Sequence, residues 1–307
     1  MNVGELPLVA FTILAQLSVG SFVVLGIVHL VARRRVDAAA LDKLSDPALY
    51  AIGPAMVLGL IASMAHLGNP INALYTIGHL QTSWLSREIL LGSAFAGLGA
   101  AFAVVQWLKW LTPLLRQLLA GLTAVVGLGL VYVMSMVYLL PTVPAWDSWA
   151  TPVSFFTTTF LLGSLAVGAA FVVVYTFRAR RAVRDETTAV LLRGTLRGIA
   201  TASIALLGVE FVVIPAYALS LGTQTGAGGA AHESLTSLMV AGGAVFIARA
   251  ALVFVGAGLL GFLLHRFATA GRERQLVLLA TSAFALVLIS ETLGRILFYG
   301  SFANIGL

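Results

Sequence analysis

Apolar residues run along this chain in long stretches rather than alternating with polar ones. Eight stretches stand out, at roughly 8–32, 48–68, 88–108, 117–140, 153–177, 198–220, 238–265 and 275–299, each near the ~20 residues that carry a helix across a bilayer core. Leu, Val, Ala, Gly and Phe dominate each of them. Strands of a membrane barrel are shorter and alternate polar with apolar, and these stretches do neither. The pattern predicts an all-α fold, a polytopic membrane bundle of eight transmembrane helices. The sizeable connections, about 33–47, 69–87, 141–152, 178–197 and 221–237, are too short to fold by themselves. Residues 1–307 therefore read as a single integral membrane domain, with no low-complexity segment and no evident internal repeat.

Charge gives the bundle a direction. The chain has 18 Lys and Arg residues, and all but Arg87, Arg249 and Arg295 follow the odd-numbered spans. Arg33, Arg34, Arg35 and Lys43 follow the first, Lys109 and Arg116 the third. Arg178, Arg180, Arg181, Arg184, Arg193 and Arg197 follow the fifth, and Arg266, Arg272 and Arg274 the seventh. Basic loops stay on the cytoplasmic side, so both termini are expected outside, on the periplasmic face of a bacterial inner membrane. The leading segment holds Glu5 and no basic residue, and the positive cluster follows the first apolar run. That order is the reverse of a cleavable signal peptide.

Composition narrows the classes further. The chain is 60% hydrophobic and 10% charged, against about 25% charged in an ordinary soluble domain. Its pI near 10.1 is explained by the cytoplasmic loops and their contact with anionic lipid, without nucleic acid. It contains no cysteine. That excludes a cysteine-ligated iron–sulfur cluster, a thiolate zinc site, a c-type haem and a disulfide.

Ionisable groups inside a membrane mark pairing or functional sites. Glu210 lies roughly 15 Å below the outer end of the sixth span at 1.5 Å per residue. Arg249 lies at similar depth in the seventh, so the two can pair across helices. Glu291 and Arg295 share one face of the eighth span and can pair within it. All four read as structural ion pairs. Gln16, in the outer half of the first span, suits a helix–helix hydrogen bond and is also a candidate pocket residue. His29 and His265 sit at the cytoplasmic edge, where interfacial histidines are ordinary.

The segment from His66 to Glu88 carries more chemistry. It includes Asn69, Pro70, Asn72, Tyr75, His79, Gln81, Trp84, Ser86 and Arg87, and joins the second and third spans at the outer boundary. It brings an imidazole and a carboxylate to one depth. In the plain reading, His66 ends one helix and Glu88 favours the N-terminal dipole of the next. In the functional reading the two accept the protons that a hydroquinone releases as its electrons leave. The residue types alone leave both readings open.

The order of short motifs resembles the membrane-anchor subunits of dimethyl sulfoxide reductase-type molybdopterin oxidoreductases. The matching residues are Glu5-Leu-Pro-Leu-Val and Gln16, then Ser63-Met-Ala-His66-Leu-Gly-Asn-Pro70 and Ser86-Arg-Glu88-Ile. Further on come Thr142-Val-Pro-Ala-Trp146, Trp149-Ala-Thr-Pro152, Glu291-Thr-Leu-Gly-Arg295 and Phe298-Tyr-Gly300. The resemblance implies an eight-helix subunit that oxidises menaquinol or a related quinol. It implies an iron–sulfur electron-transfer subunit docked on the outer face and a molybdopterin catalytic subunit beyond it, which selects the terminal substrate. It implies that this chain holds neither haem nor iron–sulfur cluster. His66 and Glu88 occupy the positions tied to quinol binding. Arg87, Trp84, Asn69 and Gln16 complete the candidate pocket. Arg87 departs from the neutral residue that can stand there in relatives, and it sets a cation beside the proposed proton acceptor.

Three rivals stand beside this reading. The chain could be an anchor with no quinol site, its His66 and Glu88 serving as helix-end residues. It could be a secondary transporter coupled through Glu210, Arg249 and Glu291, although Pro215 is a lone interruption without the paired broken helices of that class. It could be a b-type cytochrome built on His29 and His265.

Overall fold

The computed structural model describes residues 6–32, 38–66, 78–180, 186–223, 233, 234, 236, 242–270 and 273–302. The regular elements among these residues are helical. They are α1 (Leu6–Ala32), α2 (Ala38–Ile52), α3 (Pro54–His66), α4 (Trp84–Trp107), α5 (Pro113–Met136), α6 (Ala150–Ala179) and α7 (Glu186–Thr223). After these come α8 (Gly243–Val253), a π-helical segment (Phe254–Leu260), α9 (Gly261–Ala270) and α10 (Glu273–Gly300). Eight helical stretches are long and apolar enough to cross a membrane; α2 with α3 makes one, and α8 through α9 another.

α1 and α6 form the centre. Val9, Ala15 and Val19 of α1 and Phe155, Leu162 and Phe171 of α6 are almost fully buried. Two glycines allow their close crossing. A Cβ on Gly20 would stand 1.8 Å from the Thr159 carbonyl oxygen, and one on Gly163 would stand 2.2 Å from the Gly20 carbonyl carbon. Small residues at such crossings let backbones touch where no water is available to drive association. α5 packs on α1 and α4, while α7 and α10 pack on α6 from the other side. Leu118, Val125, Val212, Leu219, Ile247 and Leu278 point outward as exposed apolar side chains. That surface suits acyl chains.

The helix ends differ from the sequence expectation. The stretch expected as the cytoplasmic connection 33–47 is helical from Ala38, and the expected connection 178–197 is helical from Glu186. Hydropathy marks where apolar residues stop, whereas the backbone ladder continues into the charged zone. α2 buries Leu41, Leu44 and Ala48 there. Lys109, just past α4, donates to Asp42 and Asp46 of α2, each at 2.9 Å. Lys109 and Leu111 take left-handed backbone conformations that turn the chain into α5. Thr112 then caps α5, its side chain accepting from the Leu115 N–H, with Pro113 in the first turn.

At the opposite end α4 starts at Trp84, one turn before the expected 88. Ser83 sets that start, its hydroxyl accepting from the Ser86 N–H at 3.2 Å. The seventh span is described from Gly243 to Ala270, and its expected start at 238 lies outside the described residues. Its π-helical segment brings Gly256 against α10, where an added Cβ would meet Val287 at 2.8 Å. Pro215 lies inside α7 and cannot donate to the carbonyl of Phe211.

Candidate functional site

The end of the bundle opposite Lys109 gathers most of the polar residues singled out in the sequence. α4 places Trp84, Arg87 and Glu88 in its first two turns. Arg87 turns back toward the preceding loop: its Nε donates to the Leu80 carbonyl and its Nη2 to the Gln81 carbonyl, both at 2.7 Å. Its guanidinium lies 4.2 Å from the centre of the Trp84 ring. Adjacent residues on a helix point about 100° apart, so Arg87 can hold the loop while Glu88 faces inward. Glu88 is 6% exposed. Among the described residues, no hydrogen-bond or ion-pair partner meets its carboxylate.

His66 is the last residue of α3, and its side chain lies outside the described residues, as does the whole of Asn69. α3 packs on α1 and touches α4. Of the candidate pocket, then, the described side chains are Gln16, Trp84, Arg87 and Glu88.

A buried polar ladder begins near Glu88 and crosses the bundle. Tyr138 and Tyr299 lie within electrostatic reach of the Glu88 carboxylate. Their hydroxyls share a hydrogen bond at 2.8 Å. Rings of Trp146, Phe155 and Phe298 enclose the pair. Trp146 is fixed by its indole N–H, which donates to the Phe298 carbonyl at 2.8 Å. Next along α10 is Arg295, whose Nη2 donates to Gln16 Oε1 at 3.0 Å. The Arg295 guanidinium lies 3.8 Å from the centre of the Phe155 ring. Gln16 therefore serves a helix–helix bond that ties α1 to α10.

Beyond Arg295 lies a cavity of about 480 Å³ between α6, α7, α8 and α10. Glu210, Arg249, Glu291 and Arg295 all line it. Arg249 reaches Glu210 at 3.2 Å and Glu291 at 3.6 Å. Thr158 donates to Glu291 Oε2 at 2.6 Å. Gly294 makes room for the arginine, since a Cβ there would stand 2.3 Å from Arg249 Nε. The pairing across helices expected from the matched depths of Glu210 and Arg249 is present. The pairing expected within α10 is not among the ion pairs of the described residues: Glu291 turns to Thr158 and Arg249, and Arg295 to Gln16. Tertiary neighbours on α1, α6 and α8 offer those partners, and spacing along one helix does not reveal them.

Reasoning from sequence overlooked Tyr138, Thr158, Gly294 and Tyr299. The available signals were Gly294 inside the Glu291-Thr-Leu-Gly-Arg295 motif and the Tyr299 hydroxyl, a polar group in an apolar helix end, inside Phe298-Tyr-Gly300. The two histidines weighed as haem ligands stand apart. His29 Nε2 is bonded to Ser45 Oγ of α2 at 2.6 Å, while His265 sits beside Arg197 and Gly198 of α7. No group of three or more potential metal ligands occurs among the described residues.

Comparison with known proteins agrees with the motif order. A family model described as DMSO reductase anchor subunit (DmsC) matches residues 1–301. The chain is 37% identical over 162 residues to one of the chains of the anaerobic dimethyl sulfoxide reductase of Escherichia coli K12, covering 52% of this chain and 55% of that one. It is 33% identical over 175 residues to the like-named polypeptide of Haemophilus influenzae, covering 56% and 61%. A shorter match, 32% over 120 residues, links it to a sulfite dehydrogenase subunit of Allochromatium vinosum, covering 34% and 36%. The chain thus spans little more than half the length of the dimethyl sulfoxide reductase relatives it matches.

Proposed function

The chain belongs to the DMSO reductase anchor subunit family, and from that premise we propose that it anchors a molybdoenzyme complex and oxidises quinol for it. The quinol is menaquinol or a close analogue, reaching the bundle sideways from the lipid. The membrane is the bacterial inner membrane. The basic end, with Lys109, Arg116, Arg178 and Arg197, faces the cytoplasm by the positive-inside rule. Glu88 and the cavity then lie toward the periplasm, with both termini on that side. Residues 1–307 act there as one membrane domain.

The reaction is the two-electron oxidation of a hydroquinone to a quinone with release of two protons. Glu88 accepts one hydroxyl proton, and His66 accepts the other. Asn69 helps to hold the headgroup. Trp84 lies beside it, and Arg87 holds Trp84 and the 80–81 backbone in place. The electrons leave one at a time to an iron–sulfur subunit docked on the periplasmic face and pass on to a molybdopterin catalytic subunit. Those partners supply the redox centres that a chain without cysteine does not hold.

The observation that carries this reading is Glu88 itself. A carboxylate buried near a membrane boundary, with no donor among the described residues, is costly, and such groups persist where they serve a ligand or a proton. A plain anchor would gain by replacing it with leucine. The test compares the complete complex with its soluble subunits prepared without this chain. Both should reduce the terminal substrate with an artificial dye donor, and only the complete complex should do so with quinol. Quinol-driven turnover by the soluble subunits alone would overturn the proposal.

A further inference from the structure

The cavity between α6, α7, α8 and α10 is separated from Glu88 by the wall that Arg295, Phe155 and the tyrosine pair form. We infer that it is a second binding site, taking the headgroup of a neutral, lipid-soluble aromatic diol or its dione. The ligand class rests on the quinol reading above; the site itself does not depend on Glu88.

Three observations lead there. The first is unmatched hydrogen-bonding capacity. Two carboxylates share one guanidinium, leaving Glu210 Oε2 without a hydrogen-bond donor and Glu291 Oε1 with only the longer 3.6 Å ion pair to Arg249. Arg249 Nε and Arg295 Nε are likewise without an acceptor. The Glu210 and Glu291 side chains are 5% and 2% exposed, so water at the surface does not answer for them. Free acceptors and free donors at one cavity suit a ligand that donates as a diol and accepts as a dione.

The second is charge. Two carboxylates and two guanidinium groups give the lining no formal excess of either sign. A phosphate headgroup would meet both carboxylates and an ammonium group both arginines, so a neutral ligand is favoured. The third is access. Pro215 lines the cavity and is also exposed on the outer surface of α7. Its neighbours Phe211 and Val212 are exposed apolar side chains at 48% and 69%. A molecule with an apolar tail can pass between them and leave the tail in lipid. Phe246 and Phe298 supply ring surfaces inside.

The test labels the intact complex with a short-chain naphthoquinone bearing a photoreactive azide and maps the adducts by peptide mass spectrometry. Two variants fill the cavity from opposite walls, Ala218→Phe on α7 and Ser154→Leu on α6; neither residue pairs with the charged cluster. In the unaltered complex, adducts should form on segments 213–218 and 297–301 and disappear with excess unreactive naphthoquinone. They should be lost in at least one folded variant. Absence of these adducts, their survival in both variants, or equal displacement by a phospholipid without a ring would overturn the inference. Adducts on the first two turns of α4 report on the Glu88 site separately. Their absence beside intact cavity adducts would remove the Glu88 site from the proposed function and leave the second site standing.

Discussion

Glu88 and Arg249 are both charged residues inside a membrane, and their surroundings treat them differently. Arg249 is held between two carboxylates and stands over a glycine that makes room for it. Removing the guanidinium would strand Glu210 and Glu291 as buried acceptors. Arg249→Met is therefore expected to destabilise the chain by about 3–5 kcal/mol. Its thermal midpoint in detergent should fall, and adding Glu210→Gln and Glu291→Gln should restore part of the loss. Midpoints unchanged by Arg249→Met would mean that the cluster is held by packing rather than charge. Glu88 has no such companions among the described residues, so its neutral amide should leave the midpoint almost unmoved. The Glu210–Arg249 pair was legible because depth can be counted along each helix. The partners of Glu291 and Arg295 were not, because helix rotation and neighbour identity are set by tertiary packing.

Among the elements, the α1–α6 crossing is the tightest contact. Gly20 faces the Thr159 carbonyl at a distance that admits no side chain at all. Gly20→Ala is expected to cost about 1–3 kcal/mol or more, because the two backbones must separate. Gly26 on the same helix has nothing within 4 Å of an added Cβ, so Gly26→Ala serves as the control and should be neutral or slightly stabilising. Comparing the two midpoints separates a crossing effect from a propensity effect; equal shifts would refute the crossing. The sequence showed eight spans because apolar length is a strong, local signal. It missed the extensions of the second and sixth spans at the basic end, since a helix that leaves the membrane loses its apolar signature before it loses its hydrogen bonds. The outer start of α4 was missed for a related reason: its signal is a single serine cap, whereas apolar length begins a turn later.

At the scale of the whole molecule, the proposed direction in the membrane rests on the basic residues at one end. The lack of cysteine makes this easy to check. Single cysteines at Asp147→Cys and Arg180→Cys fall on opposite ends and at solvent-accessible positions. In sealed cells an impermeant maleimide should label the first and spare the second until the membrane is opened; the reverse pattern would invert the proposed orientation. That orientation puts Glu88, the tyrosine pair and the ionic cavity on the side proposed for the partner subunits, with the proposed lipid-facing access at Pro215. The family motifs pointed to His66 and Glu88, but the cavity was hidden from them because four separate helices build it. The most direct test of quinol oxidation at Glu88 is the steady-state rate of the purified complex carrying Glu88→Gln, measured with quinol and with an artificial dye donor. The expected result is a fall of roughly 10²-fold or more in the quinol rate, the usual scale for losing a positioned proton acceptor, with the dye rate unchanged. Equal quinol rates in the two complexes, with equal binding of a quinone analogue, would contradict it.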